Sequence, residues 1–203
     1  MNKTRKNRNI AKKWQENVYR ASDYESNDGM LTTVWGPPMW HYLHTMSFNY
    51  PVKPTSQDKK KYRDTILNLQ YTLPCGKCRN NLKKNFRSLP LTIKHMKNRA
   101  TFSRYVYDLH EKVNDMLKKK SGLSYEMVRE RYEHFRSRCA QSPSKKTRKK
   151  IFKSKSKPKP KEKGCTEPLT GEKSKCILQI VPRDKTGDTF QMDKQCEKVK
   201  ILP

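Results

Sequence analysis

Six side chains combine type and spacing in a way that could do chemistry: Trp40, His44, Cys75, Cys78, His110 and Asn114. Leu73-Pro74-Cys75-Gly76-Lys77-Cys78 sets two thiols one turn apart, with a proline ahead and a helix-forming stretch behind. At a helix N-terminus the unpaired amides and the macrodipole lower a thiol's pKa, which favours thiol–disulfide exchange. Lys77 and Arg79 add positive charge. The same pair also fits half a zinc site, a thioredoxin-type centre or two buried thiols. Zinc asks for a second closely spaced pair, and Cys139, Cys165, Cys176 and Cys196 provide none. A thioredoxin-type centre asks for a strand–helix–strand context, which is missing. The residue pattern therefore favours redox chemistry over metal binding.

Trp40 and His44 stand at i, i+4 in WGPPMWHYLHTMSFNYP, and His110 and Asn114 at i, i+4 in LHEKVNDML. Either pair alone reads as a core histidine beside a neighbour. Both together, flanking one dithiol, offer flat aromatic and imidazole walls suited to a planar cofactor.

Helices must position these groups. Trp40, Leu43, His44 and Ser47 keep a helical period, and Pro37-Pro38 predicts the helix start. Tyr50-Pro51 ends that helix. Thr55 or Ser56 is expected to cap a second, with Tyr62, Ile66, Leu69 and Gln70 on one face, stopped by Leu73-Pro74. A third helix runs through Leu82 and Phe86. A fourth carries Phe102, Tyr105, Val106, Leu109, Val113, Met116 and Leu117. Ser124 caps a short fifth with Met127, Val128 and Tyr132. No stretch of this window reads as strand, so a small all-α bundle is expected.

The whole chain cannot fold this way. Its 203 residues hold 47 Lys+Arg against 19 Asp+Glu, a net charge of +28, with 33% hydrophobic residues and a mean hydropathy of −1.12. So little apolar side chain does not offset the ordering entropy of the full length. The expected organisation is a basic flexible arm over 1–29, a helical domain over 30–138, a Lys-rich linker over 139–164 and a cysteine-containing tail over 165–203. Residues 145–163 hold eleven basic residues and one acid, an extended self-repelling composition. The tail has two short apolar runs that could form a small hairpin. No apolar run is long enough to span a bilayer, and MNKTRKNRNIAKKW lacks the apolar core of a secretory signal.

Taken in order, these residues resemble the Erv/ALR family of FAD-linked sulfhydryl oxidases, in particular its viral members. The resemblance rests on Trp40-His41-Tyr42-Leu43-His44 with Tyr50-Pro51, then Pro74-Cys75-Gly76-Lys77-Cys78, then His110-Glu111-Lys112-Val113-Asn114 and the lysines at 118–120. It covers 35–135, about half of the chain. It implies a four-helix bundle with a short fifth helix, commonly a homodimer, holding FAD. Trp40, His44 and Tyr50 would line the flavin site. His110, Val113 and Asn114 would meet the adenine or ribose side, Lys119 or Lys120 the pyrophosphate, and Tyr132 stands where the family usually has a stacking Trp. Glu111 replaces the usual Asn, Pro37 stands where many members have Arg, and the cysteines of a structural disulfide after the histidine motif are absent.

The implied activity is disulfide formation in thiol-containing protein substrates. Cys75 would be attacked by substrate, and Cys78 would pass electrons to FAD and then O2, giving hydrogen peroxide. Cys165 and Cys176 are candidates for a second, relaying cysteine pair, or for a local disulfide in the tail. The viral resemblance implies a host-cytoplasmic viral factory or the virion; the alternative is the mitochondrial intermembrane space. The competing function class is a basic nucleic-acid-binding protein with an irregular zinc module. The tails' low-complexity lysines would supply only non-specific polyanion affinity.

Overall fold

The computed structural model describes residues 20–27 and 29–138, together with 165, 167–169, 176 and 180–181. A single helical turn, Ala21–Tyr24, precedes five helices: α1 Thr32–Phe48, α2 Ser56–Thr72, α3 Gly76–Ser88, α4 Arg99–Met116 and α5 Tyr125–Glu133. A 3-10 turn, Ile93–Met96, lies between α3 and α4. The described chain is the all-α bundle that the helical periods predict.

Local chemistry sets most helix starts. The Thr55 hydroxyl accepts the Asp58 amide and the Asp58 carboxylate accepts the Thr55 amide, a reciprocal cap on α2. Asn98 accepts from the Thr101 amide at α4, and Ser124 from the Met127 amide at α5. α1 corrects the sequence expectation. It begins at Thr32, so Pro37 and Pro38 lie inside it instead of opening it. Two prolines there remove amide donors to the preceding turn. The turn is held by other bonds: Val34 N–H to Leu31 O at 3.0 Å, and Trp35 Nε1–H to Met30 O at 3.0 Å.

α1 packs chiefly on α4, and α2 on α3; α5 lies across α1. Their inner faces meet in a core of Leu43, Ile66, Leu82, Phe102, Tyr105, Val106 and Leu109, with Leu91 and Met96 from the α3–α4 connection. Arginines tie the connections to the bundle through backbone carbonyls. Arg63 Nε donates to Leu91 O, Arg99 Nε to Tyr50 O, and Arg136 Nη2 to Phe48 O. Each closes a loop with a charge-assisted bond.

Beyond α5, Ser137–Arg138 pairs antiparallel with Glu167–Pro168, and Leu169 N–H donates to Arg136 O at 2.9 Å. This ladder is two residues long and joins segments about thirty residues apart. No local alternation announces it. The expected hairpin within the tail lies outside the described residues.

Phe102 is fully buried. Phe102→Ala is expected to cost about 3–5 kcal/mol of unfolding free energy, read by urea denaturation, whereas Tyr71→Ala at an exposed position should cost far less.

Candidate active site

The α2–α3 hairpin presents the dithiol. Pro74 ends α2, and Cys75 takes the N-cap position of α3 in an extended conformation. Cys75 and Cys78 are joined in a disulfide, and the Cys78 amide donates to Cys75 Sγ at 3.2 Å. One sulfur is thus both a disulfide partner and a helix cap, beside the positive end of the α3 dipole. Both cysteines are partly exposed.

The peptide before Cys75 is clamped from two sides. Met30 N–H donates to Pro74 O at 2.8 Å, and Arg79 Nη1 donates to Leu73 O at 2.5 Å. Gly29 fits here because it has no side chain: a Cβ on it would stand 2.8 Å from Pro74 O and 3.0 Å from Cys75 Cα.

A second group is assembled by α1, α4 and α5. The Trp40 and His110 rings stack with centroids 4.0 Å apart and planes 7° apart. His44 Nε2 and His110 Nδ1 share a hydrogen bond of 2.9 Å, one donating and the other accepting. Tyr132 stacks on His44 and on Phe48, with centroids 5.2 and 5.4 Å away. Its hydroxyl is 3.2 Å from His41 Nδ1. Burial holds His44 down at about 3, with His110 and His41 adding to the effect. It holds His110 at about 4, where Lys119 assists and Glu111 opposes. Both imidazoles are therefore neutral at physiological pH. His44 Nδ1 is buried and has no hydrogen-bond partner among the described residues. A buried polar atom left unpaired among stacked rings is unusual in a folded protein and marks this cluster as a candidate ligand site.

The Erv1/Alr family pattern matches residues 37–133. The FAD-linked sulfhydryl oxidase of African swine fever virus is 31% identical over 86 residues, which are 42% of this chain and 70% of that protein. The chain belongs to the Erv1/Alr family. The probable FAD-linked sulfhydryl oxidase of Acanthamoeba polyphaga mimivirus is 34% identical over 85 residues, 42% of this chain and 59% of that protein, a little over half its length. Among solved structures, the yeast Erv1 core aligns with a TM-score of 0.46 at 23% identity, over 57% of this chain and 91% of that one.

Within this Erv1/Alr domain, the fold brings Trp40, His44, His110 and Tyr132 into one cluster. Asn114 and Val113 follow on the same helix, half-buried, with Asn114 Nδ2 donating to Glu111 Oε1 at 2.8 Å. Lys119 and Lys120 are exposed just past α4; the Lys119 amide donates to Asn114 O. Lys118 adopts a positive φ of 56° and turns the chain there. Tyr50 lies elsewhere. Its ring is wholly buried against Tyr62 and Phe102, and its hydroxyl donates to Met96 O. Cys165 is disulfide-bonded and Cys176 is free and exposed, so the two are not joined to each other. Among the described residues no group of three or more His, Cys, Asp or Glu is placed to hold a metal ion.

Sequence reasoning missed His41, Phe48 and Phe135, which complete the ring cluster around Tyr132. His41 stands three residues before His44, a spacing that carried the signal.

The histidines make stability pH-dependent. Unfolded, they titrate near 6.5; folded, near 3 and 4. Their contribution is fully present above 6.5 and is lost as pH falls toward 4, because only the unfolded chain takes up the protons. The expected slope is up to about 1.4 kcal/mol per pH unit for each histidine. Melting temperature should fall steadily below pH 6.5, and more shallowly in His110→Gln.

Proposed function

We propose that this chain is an FAD-dependent sulfhydryl oxidase. It converts two substrate thiols and O2 into a disulfide and hydrogen peroxide. The observation that carries the reading is the Cys75–Cys78 disulfide at the α3 N-cap, within one small domain with the stacked Trp40–His44–His110–Tyr132 group.

The steps at the dithiol follow from its placement. A substrate thiolate attacks Cys75 Sγ, a mixed disulfide forms, and Cys78 leaves as a thiolate. A second substrate thiolate then attacks the substrate sulfur of the mixed disulfide. The substrate disulfide forms and Cys75 is expelled as a thiolate. Two electrons have passed to the enzyme dithiol. The Cys78 amide and the α3 N-terminus stabilise the Cys75 thiolate as a leaving group.

The residues present fit FAD. Stacked rings and a neutral histidine pair offer flat walls without fixed charge, and His44 Nδ1 is a buried polar atom awaiting a partner. Trp40, His44, His110, Val113, Asn114 and Tyr132 would hold it, with Tyr50 supporting from the core and Lys119 or Lys120 meeting its phosphates. Bound there, FAD would take the electron pair from the dithiol and deliver it to oxygen. His44 and His110, kept neutral by burial, place no cation against the ring system.

Substrates are thiol-containing proteins, and the setting is the host cytoplasm or the virion, a reading supported by the viral relatives. The functional unit is a pair of copies. An apolar groove of about 350 Å³ lined by Trp35, Pro38, Met39, Tyr42, Leu69 and Leu73 lies open on α1 and α2 beside Pro74, and a second copy would cover it. Sedimentation should give twice 24.1 kDa, and Tyr42→Glu should return it to the single-chain mass.

The purified protein should absorb at about 450 nm through bound flavin and consume oxygen with dithiothreitol. Cys78→Ser should keep the absorbance and lose turnover by about a thousandfold or more. A Cys78→Ser protein that consumes oxygen at the normal rate would contradict the assignment.

A further inference from the structure

Between Asp64 and Asp108 the chain has no carboxylate side chain, yet nine Lys and Arg residues fall in that interval. Five lie on α3, the helix that starts at the dithiol: Lys77, Arg79, Lys83, Lys84 and Arg87. Arg79, Lys83 and Arg87 follow one another at i, i+4, so they form a row along one face, and like charges at that spacing repel. Lys77 and Arg79 also stand near the α3 N-terminus, where the macrodipole disfavours cations. Among the described residues no carboxylate pairs with any of the five. Among the described residues that repulsion is not offset by a carboxylate, although Arg79 bonds Leu73 O and Lys83 sits over Tyr71.

The geometry puts part of it at the dithiol. The Arg79 guanidinium is anchored on Leu73 O and stands 3.6 Å from where a Gly76 Cβ would be. Lys83 Nζ lies 5.2 Å from the centroid of Tyr71, a ring in the last turn of α2 that is 63% exposed. Lys77, between the two cysteines, is exposed. The carboxylates at the ends of the interval do not neutralise this rim. Asp64 is eight residues before the end of α2, about 12 Å along its axis, and Asp108 is paired with Arg104. In the segment before α1, the Asp23 carboxylate accepts Arg20's own amide.

We propose that this rim selects the substrate: Lys77, Arg79, Lys83 and the exposed Tyr71 dock an acidic peptide segment so that its cysteine thiolate meets Cys75. The proposal rests on the dithiol exchange described under Proposed function and names its substrate class. The exchange is balanced as before, with two peptide thiols losing two electrons and two protons and the enzyme disulfide becoming a dithiol. The rim adds attraction during approach, and it stabilises the incoming thiolate, which acidic neighbours alone would disfavour.

The test is single-turnover exchange under anaerobic conditions, which needs neither flavin turnover nor oxygen. The oxidised full chain is mixed with one of two reduced two-cysteine peptides, identical except for flanking Glu or flanking Lys residues. Disulfide reduction is followed by acid quench and mass analysis. Each rate is divided by that of the same peptide with a neutral small disulfide, which removes intrinsic thiol reactivity. At low salt the Glu peptide should react about 10-fold or more faster than the Lys peptide. The ratio should collapse toward unity in about 1 M salt, and it should fall or reverse in Lys77→Glu/Lys83→Glu. Equal normalised rates at low salt, or a ratio unaffected by the double reversal, would overturn the proposal. Oxygen consumption with dithiothreitol, measured separately, reports on the oxidase reading itself: its absence with a preserved peptide ratio would sink that reading and leave the acidic preference standing.

Discussion

Cys75 Sγ is at once one end of a disulfide and the acceptor that caps α3, and the surrounding structure is organised to permit both. The carbonyl just before it is taken by Met30, and the carbonyl before that by Arg79. Met30 in turn receives the Trp35 indole, which fixes the first turns of α1. Three helices therefore share one small knot of hydrogen bonds around a reactive sulfur. Gly29 is required at its edge because any Cβ would strike the Pro74 carbonyl. Rigidity at this point is chemically useful, since exchange needs the attacked sulfur held in line while its partner leaves.

The ring cluster keeps its two histidines uncharged through burial. His44 and His110 hydrogen-bond one another as neutral rings, and the walls around them are Trp40, Phe48 and Tyr132. Cations are plentiful in this chain, and Lys119 and Arg131 bear on the cluster electrostatically, at His110 and at Tyr132. Some are spent on carbonyl groups at loop ends, as with Arg63, Arg99 and Arg136. Others line α3, where among the described residues no carboxylate pairs with them. The +28 net charge thus divides between structural ties, the basic face of α3 and the arms.

Helix identity and most helix starts were legible in the sequence because they depend on neighbours a few residues away. Thr55 and Ser124 cap from their own side chains, and the spacing of Leu43, Phe102, Val106 and Leu109 marks the buried faces. The start of α1 was not legible. It depends on Met30 and Pro74, forty-four residues apart, and local sequence records only the prolines. The enclosure of Tyr50 by Tyr62 and Phe102 was not legible either, because those rings arrive from other helices. The His41–Tyr132 contact spans ninety-one residues, and the Ser137–Arg138 ladder pairs with a segment whose composition gives no strand signal. The dithiol, by contrast, was visible at once, because its chemistry needs only two sulfurs and a helix start.

Anaerobic mixing with dithiothreitol tests the central claim, that electrons enter through Cys75–Cys78, most directly. In the unaltered protein the flavin band at about 450 nm should bleach within the turnover time. In Cys75→Ser the same band should be present and persist. Equal bleaching in both proteins, or no flavin band in either, would contradict the account.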